Sequence, residues 1–117
     1  VDLVDIERFA KVLQRRPRMG ERLFTEGERA YAAGFADPAP SLAARFAAKE
    51  AAMKAMGVGL GAFSFTDAEV CRRGSGQPFL RLHGRAAELA EKLGVRSWLL
   101  SLTHSGTSAA AVAIAMS

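Results

Sequence analysis

The chain has 117 residues, half of them hydrophobic and 24% charged, a composition that folds and excludes an intrinsically disordered segment. No apolar run reaches the roughly 18 residues of a membrane-crossing helix, and the single cysteine, Cys71, excludes an internal disulfide. The net charge of +4 points to an acidic partner: a nucleic acid, an acidic protein or a phosphorylated small molecule. Composition does not choose among the three.

The length predicts one domain, residues 1–117, with a core thin enough to favour an oligomer. Cys71 reads as a small strand residue in a reducing, cytoplasmic setting. Val1 to Val4 reads as the end of a strand already under way, so residues are expected upstream of this numbering. Ile6, Phe9, Ala10 and Leu13 then recur at helical spacing, with Arg8, Lys11 and Arg15 on the opposite face. Pro17 should end that helix. Thr25-Glu26-Gly27-Glu28 has the form of a capping box opening a short helix towards Ala33. Gly34, Pro38 and Pro40 predict a loop.

Ser41 is the expected N-cap of the main helix, Leu42 to Met56, closed by Gly57 and followed by a loop through Gly59 and Gly61. Ala68 to Arg73 and Phe79 to Leu82 read as strands joined at Gly74–Pro78, and Arg85 to Leu93 as a helix ended by Gly94. Ser97 to Thr103 and Ser108 to Ala115 form the closing hairpin, with His104 at the tip of its turn. Helices early and strands late predict an α+β fold with a mainly antiparallel sheet packed with helices. Trp98, Leu99, Leu100 and Val112 offer more apolar surface than so small a core needs.

On the main helix, Leu42, Phe46, Met53 and Met56 form an apolar stripe that contains Lys49 and has Glu50 at its edge. Glu50 and Lys54 are also an ordinary i,i+4 helix pair. Charges at a core edge are costly unless paired or metal-bound, which marks this face as a possible site. Asp2, a poor strand former inside an apolar segment, is either a water-facing strand-end residue or, with Glu50, one of two hard oxygen ligands for Mg²⁺. His104 is either incidental to its turn or a phosphate contact beside Arg or Lys. His83 indicates only a turn.

Four segments then resemble one family. Val1-Asp2-Leu3-Val4-Asp5-Ile6-Glu7-Arg8-Phe9 is similar to the opening motif of the holo-[acyl-carrier-protein] synthases. The segment from Arg45 to Gly57, with Arg45-Phe46-Ala47-Ala48-Lys49-Glu50-Ala51 at its head, resembles their signature helix. Gly76-Gln77-Pro78 resembles their Gly-Lys-Pro turn, and Ser101-Leu102-Thr103-His104 their near-terminal Ser-x-Ser/Thr-His segment. The resemblance implies an α+β homotrimer with active sites at subunit interfaces. It implies transfer of 4'-phosphopantetheine from coenzyme A to a serine of an acyl carrier protein, releasing adenosine 3',5'-bisphosphate.

By the same resemblance, Asp2 and Glu50 hold Mg²⁺ against the pyrophosphate, and Glu50 helps to deprotonate the serine. Lys54 sits on the phosphates as a mobile positive charge, and Arg45 and His104 contact the nucleotide end. Val58 and Gln77 depart from the family's usual Thr and Lys, and neither is a proposed ligand. Carrier proteins of this kind are acidic around their serine, so the basic run of Arg8, Lys11, Arg15, Arg16, Arg18 and Arg22 becomes the expected partner surface. A basic nucleic-acid-binding module is the rival reading. Against it stand the 8% aromatic content and the lack of a recognisable nucleic-acid motif.

Overall fold

The computed structural model describes residues 1–117. Strand β1 (Asp2–Asp5) leads directly into helix α1 (Ile6–Arg15), whose N-terminus is capped by the Asp5 carboxylate accepting from Arg8 N at 2.8 Å. The helix stops short of Pro17, as expected. A short helix α2 (Met19–Leu23) follows, which the sequence did not announce. Five residues are too few to show helical periodicity, and burial of Leu23 and Phe24 against α1 holds the segment instead.

The predicted capping box is present at α3 (Glu26–Ala33). Thr25 Oγ1 accepts from Glu28 N at 3.2 Å, and Glu28 Oε1 accepts from Thr25 N at 2.9 Å. The main helix, α4 (Ala39–Ala55), begins earlier than expected. Pro40 lies inside its first turn, where a missing N–H removes no intrahelical bond. Ser41 is therefore not the cap. The Asp37 carboxylate accepts from Ala39 N at 3.1 Å, and Ser41 Oγ accepts from Arg45 Nη1 at 2.8 Å. Gly57 closes the helix with φ +72°, a conformation that side chains with a Cβ rarely adopt.

After a 3₁₀ turn at Phe65–Asp67, β2 (Ala68–Arg72) and β3 (Pro78–Leu82) pair as an antiparallel hairpin. Cys71 is a half-buried residue opposite Phe79 in this ladder, which bears out its reading as a small strand residue. Helix α5 (Gly84–Lys92) leads to β4 (Ser97–His104) and β5 (Ser108–Met116). The turn between these strands is Ser105–Thr107, so His104 closes β4 opposite Ala109 and does not sit at the tip.

The fold is α+β. A three-stranded antiparallel sheet in the order β1-β5-β4 stands beside the β2-β3 hairpin, and α4 lies across it. Side chains alternate along the strands, so Ala109, Ala111 and Ala113 of β5 face α4. The helix meets them with Ala47, Ala48, Ala51 and Ala52, all fully or almost fully buried. Larger groups pack at the two ends of this layer: Phe9, Leu23 and Phe24 near α1, and Met53, Met56 and Phe63 near α5. Trp98 and Leu100 pack towards α4, whereas Leu3, Leu99, Val112 and Ile114 are left exposed on the sheet.

Candidate active site

Strand β1 is an edge strand whose residue Asp2 pairs with Ala111 of β5, on the sheet face covered by α4. Glu50 and Lys54 are one helical turn apart on α4 and share a face. These placements bring the three side chains together. Lys54 Nζ donates to Asp2 Oδ1 at 2.6 Å, with the Asp2 side chain 12% exposed and that of Lys54 61% exposed. Burial pushes the Glu50 carboxyl up to about 7, helped by hydrogen bonding to Asp2 and by its negative charge, while Lys54 pulls the other way. The bond to Asp2 and its charge in turn raise the pKa of Lys54.

Glu50 also lines an apolar groove of about 470 Å³, walled by Leu3, Phe9, Phe46, Leu60 and Phe65, with Arg8 on the same lining. The cluster thus has an apolar wall on one side and water on the other. Two adjacent carboxylates, one of them holding a proton near neutrality, form a hard-oxygen donor pair whose repulsion a divalent cation would relieve. The residues therefore fit Mg²⁺ in the chemistry of their donors.

Arg45 and His104 are not part of this cluster. They line a second pocket of about 190 Å³ together with Tyr31, Ser41 and Arg72. His104 lies two strands away from β1, roughly 10 Å across the sheet at the usual strand spacing. Arg45 precedes Glu50 on α4 by about 140° of rotation. Arg45 is 2% exposed as a residue, its guanidinium stacks 4.3 Å over the Tyr31 ring, and its buried Nε has no partner. Burial, and then the charge of Arg72, whose guanidinium is 5.0 Å from the centroid of the same ring, lower its pKa. Two stacked cations with an unused donor make an anion-receptive pocket. Tyr31 and Arg72 stand on a helix and a strand that the sequence predicts, but no spacing links either of them to Arg45.

Lys49, the unexplained charge in the apolar stripe, is paired inside the core. Its ammonium donates to Glu28 Oε1 at 2.8 Å, Phe65 O at 2.9 Å and Ala68 O at 2.8 Å. Glu28 was legible as a capping residue, but no spacing could link it to a lysine 21 positions later. His83 does more than turn the chain: its Nε2 lies 2.9 Å from Glu69 Oε1, and Glu69 Oε2 accepts from Thr25 Oγ1 at 2.8 Å.

On α1, Arg8, Lys11 and Arg15 are exposed together as predicted, but Lys11 is engaged by Glu7 at 3.3 Å. Arg8, Arg15, Arg16, Arg18 and Arg22 are exposed and make no ion pair, and Arg16, Arg18 and Arg22 surround Pro17. Val58 contributes a backbone N–H to Met53 O at 3.0 Å, a bond indifferent to its side chain. Gln77 is exposed at the hairpin turn.

With this geometry, the family model of the 4'-phosphopantetheinyl transferase superfamily matches residues 1–115, and the chain belongs to that superfamily. Its relatives within it are holo-[acyl-carrier-protein] synthases. The Moorella thermoacetica synthase is 47% identical over 97% of this chain and 89% of that protein. The Helicobacter pylori synthase, solved in complex with coenzyme A, superposes with a TM-score of 0.86 at 29% identity over 98% of this chain and 96% of that one. The Bacillus anthracis synthase, solved in complex with CoA (3',5'-ADP), gives 0.79 at 34% identity over 99% and 93%.

Proposed function

We propose that residues 1–117 form one phosphopantetheinyl transferase domain. It moves the 4'-phosphopantetheine arm of coenzyme A to a serine of an apo acyl carrier protein, releasing adenosine 3',5'-bisphosphate. The observation that carries this reading is the meeting of Asp2, Glu50 and Lys54 at the rim of an apolar groove. It does so in a chain similar over nearly its whole length to holo-[acyl-carrier-protein] synthases.

Asp2 and Glu50 would hold Mg²⁺, which when bound supplies stabilisation of negative charge developing on the pyrophosphate. Lys54, exposed and tethered only to Asp2, is free to turn its ammonium onto phosphate oxygens. Glu50 takes up a proton near neutral pH in the metal-free cluster, and held as a carboxylate by Mg²⁺ it would accept the proton of the serine hydroxyl. The apolar wall of Phe46, Leu60 and Phe65 keeps water from one side of that carboxylate. Arg45 and His104, joined by Arg72, are assigned to the nucleotide end of coenzyme A. Arg8, Arg15, Arg18 and Arg22 are assigned to the acidic surface of the carrier protein, in preference to a nucleic acid.

The acidic cluster and the anion-receptive pocket occupy opposite flanks of α4. That separation supports a homotrimer in which one subunit offers the first half of a site and its neighbour the second. The exposed Leu3, Leu99, Val112 and Ile114 would supply the subunit contacts. We assign the activity to the cytoplasm, in keeping with a single free thiol. The decisive experiment is mass spectrometry of an apo carrier protein incubated with this chain, coenzyme A and Mg²⁺. A gain equal to one phosphopantetheine on the serine is expected, and an unchanged carrier mass overturns the assignment.

A further inference from the structure

The face that α4 turns to the sheet is made of alanines against alanines: Ala47, Ala48, Ala51 and Ala52 over Ala109, Ala111 and Ala113. Methyl groups pack closely but form low ridges, and ridges seated in grooves are what fix a helix against rotation and sliding. These methyl contacts leave the register of α4 to their neighbours: Val70, Leu80, Leu100 and Trp98 packed around the alanines, and Lys49 within the helix itself. Lys49 is the one long side chain of this central layer that is fully buried, and all three of its ammonium protons are spoken for. Its partners belong to three different elements: Glu28 of α3, Phe65 in the 3₁₀ turn, and Ala68 at the start of β2.

Glu28 is fixed with equal completeness. Its Oε1 also accepts from Thr25 N, and its Oε2 accepts from Val70 N at 2.9 Å. A buried polar network satisfied at every atom is rigid and directional in a way that methyl contacts are not. The next residue along α4 is Glu50, so any rotation of the helix at Lys49 is transmitted undiminished to the carboxylate. The Phe65 carbonyl held by Lys49 belongs to the residue whose ring stacks on Phe46 at 5.4 Å and walls the groove beside Glu50.

We infer that Lys49, locked to Glu28, is a positioning residue for the transfer reaction: it sets the rotation of α4 and the wall at Phe65, and thereby holds Glu50 against Asp2. Lys49 touches no substrate in this role. The inference rests on the functional reading above, and it extends that reading to a pair of side chains remote from solvent.

The test separates positioning from stability. Lys49→Met alone strands the Glu28 carboxylate in the core, so it is compared with Lys49→Met/Glu28→Gln, which removes both charges and keeps the capping oxygen. The double variant is expected to regain much of the melting temperature lost by the single one. Its kcat should remain down by about 100-fold, the cost of a misplaced reacting group, while KM for coenzyme A moves by less than about threefold. Amide hydrogen exchange across residues 49–55 should be faster than in the wild type, with α1 unchanged. Glu28→Gln alone keeps the oxygen that Thr25 N and Lys49 use but turns an amide N–H₂ towards Val70 N, and it should show the same pattern in weaker form.

Recovery of kcat together with the melting temperature would overturn the inference and leave the pair as ordinary core. Wild-type exchange across residues 49–55 in both Glu28→Gln and the double variant would do so as well. Exchange needs no carrier protein, so it decides the matter even if the wild type transfers nothing, a result that would sink the functional reading alone.

Discussion

Asp2 and Lys54 stand 52 positions apart in the chain and meet at 2.6 Å, closing the gap between the edge of the sheet and the last turn of α4. The exposed ammonium compensates one carboxylate of a pair whose other member, Glu50, is half-buried and carries its proton close to neutrality. Once Glu50 gives up its proton, one cation serves two carboxylates and the cluster is short of positive charge.

Removal of either carboxylate should therefore end transfer without ending folding. Asp2→Ala and Glu50→Ala are both expected to lose activity beyond detection while keeping the far-ultraviolet circular dichroism of the wild type. Neither side chain belongs to the buried core. Substantial transfer by either variant in the presence of EDTA would remove the metal from the mechanism.

The raised pKa of Glu50 makes stability depend on pH in a definite direction. Its folded value of about 7 exceeds the ordinary 4.5, so between these values the folded chain binds the proton and the unfolded chain does not. This group's contribution must fall as pH rises through that window. In metal-free buffer, the melting temperature of the wild type relative to Glu50→Gln should decline from pH 5 to 7, and Mg²⁺ should abolish the decline. A difference that stays flat or rises would show that Glu50 is not held protonated by its surroundings.

The basic face of α1 and α2 should act on encounter with the carrier protein. Arg8, Arg15 and Arg18 are exposed and unpaired, so reversing all three to Glu should raise KM for the carrier protein by about tenfold or more at low salt. KM for coenzyme A should hardly move. Salt should weaken the wild type in the same sense, because screening acts first on exposed charges. Unaltered carrier-protein kinetics in the triple reversal would reduce this face to solvated surface. Lys11 is left out of the set because Glu7 already engages it.

Assembly is tested on the uncovered side of the sheet. Leu99 and Ile114 are directly paired across β4 and β5, and are 51% and 48% exposed. With Leu3 and Val112 they form the exposed apolar surface proposed for the subunit contacts. Light scattering should report three chains for the wild type, and Ile114→Glu should give monomers that no longer transfer. A fully active monomer would count against sites shared between subunits.

Much of this was legible in the chain because local rules were strong where they applied. The capping box at Thr25, the closing glycine at position 57 and the proline after α1 each set a boundary that the structure keeps. The start of α4 was misjudged, since Ser41 offers a good cap and Pro40 looks like a breaker. A proline in the first turn costs the helix nothing, and Asp37 supplies the bond. The sequence pairs Asp2 with Glu50 only by their chemistry and by family motifs, because a contact between a strand and a helix some fifty residues later leaves no local spacing signature. The partner of Lys49 was illegible for the same reason. The separation of His104 from Glu50 depends on strand order, which no single segment encodes, whereas that of Arg45 follows from helical rotation alone.

The alanine layer under α4 has one more consequence, for how this chain can change. Methyl on methyl is about the thinnest spacer that side chains with a Cβ provide, so any substitution there other than glycine adds bulk. A larger residue at Ala48 or Ala111 would lift the helix away from β5, and with it Glu50 from a partner anchored in the sheet. The freedom of the acidic cluster to drift is thus set by positions that carry no chemistry at all. Sequence variation should be most expensive at these small residues, where the tolerance is a matter of volume alone.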